Sequence, residues 1–316
     1  MTKGIKSFRI IICILLGILM LWTGFISYAF FYFVGEESAK GTDDRYGLYV
    51  GGVDITNENA SDIFGNGTAS YNAKENKLTL SNSVIEYNHS IIYSEIDLQI
   101  ELIGENKFIC KDTENVTAVY ASNGILRKDI SFDGEGTLDI SFENISASCT
   151  GIVADDLYIG SDVTITTPDS SNISNGIVCA SVMTLRNNAA VTVNNGAARS
   201  STAVTVNRDT IIENGSALEI TVKGGSVDAC NGLCVNGNLV VGRNAVLNVN
   251  IDDESVENGE CVSVYGIVDI CRDSKVTATA KKTCGISCYS FVSIDEGATV
   301  NAEIEALGEI VRNAVS

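Results

Sequence analysis

The chain has 316 residues, 45% of them apolar, which is enough to bury a core and excludes a disordered chain. Lys and Arg number 21 against 40 Asp and Glu, and a net charge of −19 excludes the basic patch that a nucleic-acid binder needs. One proline, with an excess of Asn, Thr, Ser, Gly, Val and Ile, favours strands and turns over helices.

Lys3, Lys6 and Arg9 come first, followed by an uncharged run from Ile10 to Val34. As a helix rising ~1.5 Å per residue, that run crosses a ~30 Å hydrocarbon core with some tilt. A signal peptide cut after Ser27-Tyr28-Ala29 would leave Phe30 to Val34 greasy at the new terminus. Its apolar region would also exceed the usual ~7–15 residues. An uncleaved single-pass anchor is therefore expected at the cell membrane. Residues 1–9 form a cytoplasmic stub, 10–34 the transmembrane α-helix, 35–45 a polar linker, and the remainder is extracellular. Because the first 34 residues hold three bases and no acid, the remainder carries −22. The outer part is strongly acidic.

Residues 46–87 read as an N-terminal β cap: strand, turn, one helical turn at Asn59 to Ile63, a Gly-rich turn, then strands at Ala69 to Tyr71 and Lys77 to Leu80. From 88 to 316 the chain repeats itself, with clear copies opening at Gly151, Gly176, Gly232, Val262 and Gly285. Weaker copies open at Ile91, Ala118, Ala203 and Gly308. Each copy has a small residue and a short apolar strand, a Leu-x-Ile-like strand, a polar turn and a Val-Thr-Val-like strand. Three strands per period predict an all-β fold, a right-handed parallel β-helix of eight to nine coils. A leucine-rich repeat lacks its Leu/Asn ladder here, a propeller needs four strands per blade, and an immunoglobulin-like array would not echo in register. Two interior columns are predicted. One runs through Leu157, Met183, Leu239, Val268 and Val292, the other through Ile159, Leu185, Val241, Ile270 and Ile294.

The leader carries a resemblance. Tyr46-x-Leu48-x-Val50-x-Gly52, Thr56, Asp62-Ile63-x-Gly65-x-Gly67, Ser70-Tyr71 and Leu78-Thr79-Leu80-x-Asn82-x-x-Ile85 are similar to the opening of carbohydrate-binding-domain surface proteins of anaerobic Gram-positive bacteria. Tyr49 departs from it, standing where relatives often carry Trp. The resemblance implies a pectate-lyase-like superhelix, polysaccharide binding and, in some relatives, bound calcium.

Candidate chemistry is sparse. Nine cysteines lie beyond Cys13, and Cys149, Cys230, Cys261 and Cys284 are expected to share one column. Cys230-x₃-Cys234 and Cys284-x₃-Cys288 have zinc-like spacing, yet four positions along a strand span ~13 Å. Adjacent-coil disulfides are borderline at ~4.8 Å, so buried free thiols are expected. Asp155-Asp156 and Asp252-Asp253-Glu254 offer hard oxygens, which makes calcium possible at Asp155 and Asp156 although no cofactor is required. Arg186, Arg243 and Arg272 do not align with these acids into a lyase groove, and the only histidine, His89, sits at the leader junction. Tyr265 and Tyr289 are expected to stack in neighbouring coils as a platform for sugar. No catalytic residue is assigned. The expected function is carbohydrate binding to a polysaccharide or cell-wall glycan. A calcium-dependent lyase or hydrolase and a protein-binding adhesive stalk are the alternatives.

Overall fold

A computed structural model describes residues 44–111, 115–145, 147–170, 172–223, 229–252, 259–280, 284–302, 304–306 and 310–313. The expected stub and anchor, and all but the last two residues of the linker, lie outside the described residues. Among the described residues no helix is long and apolar enough to cross a membrane.

Strands β1 (Arg45–Val50) and β2 (Val53–Thr56) form an antiparallel hairpin with Val50 opposite Val53. Its two-residue turn is Gly51-Gly52, both at positive φ (56° and 79°), the geometry that a right-twisted hairpin requires. Where one helical turn is expected at Asn59 to Ile63 the chain makes hydrogen-bonded turns, with Ala60 N–H on the Thr56 carbonyl (3.0 Å) and Asp62 N–H on the Asn59 carbonyl (3.1 Å), braced by a side chain. Asn59 Oδ1 accepts the Thr56 N–H (2.9 Å) and its amide donates to the Asp54 carbonyl (2.8 Å). Strands β3 (Ala69–Asn72) and β4 (Lys77–Ser81) make a second antiparallel pair, followed by β5 (Val84–Tyr87).

From there three strands recur: β6 (Ile92–Ser94), β7 (Leu98–Ile103) and β8 (Glu105–Lys111). Each pairs in parallel with the corresponding strand of the next coil, which builds three sheets that run the length of a right-handed parallel β-solenoid of about seven turns. The expected eight to nine coils is reached only by counting the incomplete end coils. Strands β4 and β5 already pair in parallel with β7 and β8, so only β1 to β3 depart from the solenoid pattern.

Stacking fixes the interior. The first column continues through Thr210 between Met183 and Leu239, and the second through Ile212 between Leu185 and Val241. Every member of both columns is buried. The glycines that open the repeats at 176 and 232 have a steric cause, because the first and third sheets come close together there. A Cβ on Gly176 would lie 2.2 Å from Val193 Cγ1, and one on Gly232 would lie 2.3 Å from Val249 Cγ1. Between the second and third sheets, the turn residues Asn188, Gly215, Asn244, Asp273 and Gly297 all have φ between 55° and 84°. Asn, Asp and Gly recur in these turns because they tolerate that left-handed backbone.

Candidate functional site

The first-to-second-sheet corner holds the predicted tyrosines. Val206, Val235, Val264 and Cys288 form an inward column at the ends of the first-sheet strands, and the chain turns just after them. The next residues are Asn207, Asn236, Tyr265 and Tyr289, each donating its N–H one coil down, to Cys179, Val206, Val235 and Val264 at 2.9–3.0 Å. This register sets the side chains in a ladder. The Tyr265 and Tyr289 rings stack with centroids 4.5 Å apart and planes 7° apart. The Asn236 amide donates to Asn207 Oδ1 at 3.2 Å. Tyr265 is 57% and Tyr289 45% exposed, with Phe291 close by at 39%. The ladder is therefore an open ridge.

The stack also alters what the rings can offer. Each ring spends one face on the other, so the short platform expected presents edges, phenol oxygens and the two outer faces. Asn207 and Asn236 extend it with amides and were not singled out in sequence. Their signal was their identical offset from the preceding inward valine.

Asp155 lies in this same corner column, four coils before Tyr265, while Asp156 belongs to a second ladder one residue on. There Asp129 N–H donates to Asp97 Oδ1 (3.1 Å), Asp156 N–H to Asp129 Oδ1 (3.0 Å) and Val182 N–H to Asp156 Oδ1 (2.9 Å). The Tyr158 hydroxyl reaches Asp156 Oδ2 at 3.4 Å. These carboxylates hold the coils in register. Burial, reinforced by the charges of Asp156, Asp97 and Asp155, raises the Asp129 pKa above the usual carboxylate value. Asp253 and Glu254 lie outside the described residues. Among the described residues no group of three His, Cys, Asp or Glu side chains could hold a metal. Arg186 lies over the Tyr158 ring (5.5 Å) and grips both oxygens of Asp133 (3.1 and 2.8 Å).

The cysteines divide among several columns. Cys149 and Cys230 share one through Ser174 and Ser201, whereas Cys261 stands opposite Gly232 and Cys284 pairs with Glu260. The single four-cysteine column is thus corrected. Cys230 points inward and is fully buried, while Cys234 lies on the outer face, so the two do not converge on a zinc ion. The eight cysteines with described side chains are free thiols.

Sequence reasoning also missed a cleft of about 380 Å³ at the third-to-first-sheet corner. Its floor is Gly196, where a Cβ would lie 2.1 Å from the Pro168 carbonyl oxygen. Asp169 and Lys223 bridge it at 2.7 Å, and that bond holds the Asp169 pKa below the usual value. Behind it Thr167 and Asn195 replace apolar interior residues. Thr167 Oγ1 bonds Asn195 Oδ1 (2.7 Å) and Ser174 Oγ (2.6 Å), and the Asn195 amide donates to Ser201 Oγ (2.7 Å). Such a satisfied buried network fixes the corner.

Compared with protein-family models, with curated proteins and with solved structures, the chain matches none of them.

Proposed function

We propose that the protein is an extracellular β-solenoid, held to the cell membrane by residues 10–34, which binds a neutral polysaccharide or cell-wall glycan without chemistry. The exposed Tyr265–Tyr289 stack at the end of the Asn207–Asn236 amide pair carries this reading. Phenol and amide groups supply both donors and acceptors to sugar hydroxyls, and aromatic edges and outer faces pack on C–H surface. Charge favours a neutral ligand, because the −22 of residues 35–316 repels an anionic polymer. The leader's resemblance to carbohydrate-binding surface proteins points the same way.

Calorimetry of the full chain in a sugar-free detergent, titrated with neutral and with uronic-acid polymers, tests the reading. A neutral glycan should bind with weak salt dependence, and Tyr265→Ala with Tyr289→Ala should lower affinity at least about tenfold, ~1.4 kcal/mol. Binding confined to uronic acids and abolished by chelator would instead place a divalent cation at Asp155 and Asp156. No heat with any glycan would remove carbohydrate and leave the adhesive stalk.

Topology has its own check. Protease added to intact cells should remove residues beyond 45 and leave a membrane-bound stub. A mature terminus near Phe30 in the medium would refute the anchor.

A further inference from the structure

Five consecutive strands of the first sheet are unlike the rest of the molecule. These strands, Asn115–Ala121, Ser148–Ala154, Ile173–Cys179, Ser200–Val206 and Ala229–Val235, seven residues each, contain no Asp, Glu, Lys or Arg. The chain as a whole is 19% charged. On the same coils the third sheet carries charge at Lys107, Asp139, Asp162, Glu219 and Lys223. Solvent exposure alone therefore does not explain a face free of charge.

Neutral hydrogen-bonding groups take the place of charge. Thr117, Thr150, Asn175, Thr202 and Asn231 form one outward column along these five strands, and the next coil closes it with Glu260 beside Asn231. At its N-terminal end Tyr49, Tyr93 and Tyr120 stand in register on neighbouring strands. Their ring centroids are 5.8 Å and 5.9 Å apart, with the second pair stacked at 25°. Beside Tyr120 is a hollow of about 370 Å³ lined by His89, Asn115, Thr117, Ser148 and Thr150. Among the described residues the hydroxyls of Thr117, Ser148 and Thr150 have no hydrogen-bond partner, so they are available to a ligand. At the other end, the corner beside this face carries Tyr265 and Tyr289, five coils from Tyr120, roughly 24 Å at ~4.8 Å per coil.

We infer that this face is one extended binding surface for a linear neutral glycan lying along the rod axis, with an aromatic station at each end. The inference rests on the carbohydrate reading above and adds to it a second site, an orientation and a length requirement. Across the five uncharged strands there is no ion to desolvate when a polyhydroxylated chain covers them, and their Thr and Asn side chains both donate and accept. Two stations joined by one ligand act as a bivalent pair, so affinity rises steeply once the ligand spans both.

The test is calorimetry of the full chain with neutral glucose oligomers from disaccharide to octasaccharide, both cello- and malto-linked. The octasaccharide should bind at least a hundredfold more tightly than the disaccharide. Tyr93→Ala with Tyr120→Ala should bring it back to within a few-fold of the disaccharide. Thr202→Asp, an outward change in mid-face that spares the core, should weaken the long oligomers and leave the disaccharide unchanged. Thermal melts of the variants identify any lost fold, and Thr202→Asp decides the matter if the tyrosine variant does not fold. Oligomer binding that depends only on Tyr265 and Tyr289, with no dependence on length, would overturn the extended face and leave the corner site standing. No binding of any oligomer, with self-association that Thr202→Asp abolishes, would overturn both and make the face a contact between copies of the chain.

Discussion

Val241→Asp should prevent cooperative folding, whereas Arg243→Ala, two residues away, should leave the melting temperature almost unchanged. Val241 is fully buried and stands between Ile212 and Ile270 in the interior column. A carboxylate there would be desolvated among aliphatic side chains without a donor, at a cost of more than about 4 kcal/mol. In a solenoid each coil supports the one above and the one below, so the damage spreads in both directions. Arg243 is exposed, and its backbone N–H donates to Asn214 Oδ1 at 2.8 Å, a bond that alanine keeps. Its loss should cost under about 1 kcal/mol. Thermal denaturation followed by circular dichroism separates the two, and shifts of similar size would mean that inward and outward positions had been exchanged.

Both interior columns were legible in sequence because a parallel stack repeats its chemistry at each rung. Thr210 escaped the first column because a hydroxyl does not look like core. Its Oγ1 is buried without a partner, a local cost that the neighbouring Met183 and Leu239 rungs absorb. The cysteine columns were misread for a different reason. Strands of the first sheet bend so that two successive residues face inward, as in Ala118-Val119, Ala203-Val204 and Cys261-Val262, all fully buried. That breaks the period of two, and sequence alone does not say on which side of the bend a cysteine falls.

The site was legible only in part. Tyr265 and Tyr289 share an offset from a strand anchor, which is enough to predict their stacking. Tyr93 and Tyr120 each stand two residues after a weak repeat opening, at Ile91 and Ala118, whereas Tyr49 belongs to the hairpin and shares no such offset. Only the register of β1 on β6, and of β6 on Asn115–Ala121, brings them together. Asp155 and Asp156 read in sequence as a pair of hard-oxygen donors, and the structure adds that Asp156 Oδ1 accepts the Val182 N–H of the next coil. Composition could not reveal this.

The largest chemical contrast between folded and unfolded chain should be in thiol reactivity. Burial pushes Cys110 and Cys179 up to about 12 and Cys149 up to about 11. At pH 8 a thiol with pKa near 12 is thiolate in roughly one molecule in 10⁴, against about a quarter for an ordinary cysteine near 8.5. Alkylation in the folded protein should therefore be suppressed more than about a thousandfold at Cys110 and Cys179 and about a few hundredfold at Cys149, and become complete in denaturant. Cys234, which burial also pushes up to about 11, should be protected like Cys149, and the partly exposed Cys271 should label first. Stability follows with a definite sign. Below about pH 8.5 both states keep these thiols protonated, and their contribution is constant. Above it the unfolded chain loses protons that the folded chain retains, so stability falls by about 1.4 kcal/mol per pH unit for each such thiol until its folded pKa is reached. Mass spectrometry after native and denatured alkylation, with urea melts at pH 7, 9 and 10, measures both effects. Heavy labelling while folded, or masses that require several disulfides, would show that these sulfurs do not face the interior, and an unchanged urea midpoint at pH 10 would lead to the same conclusion.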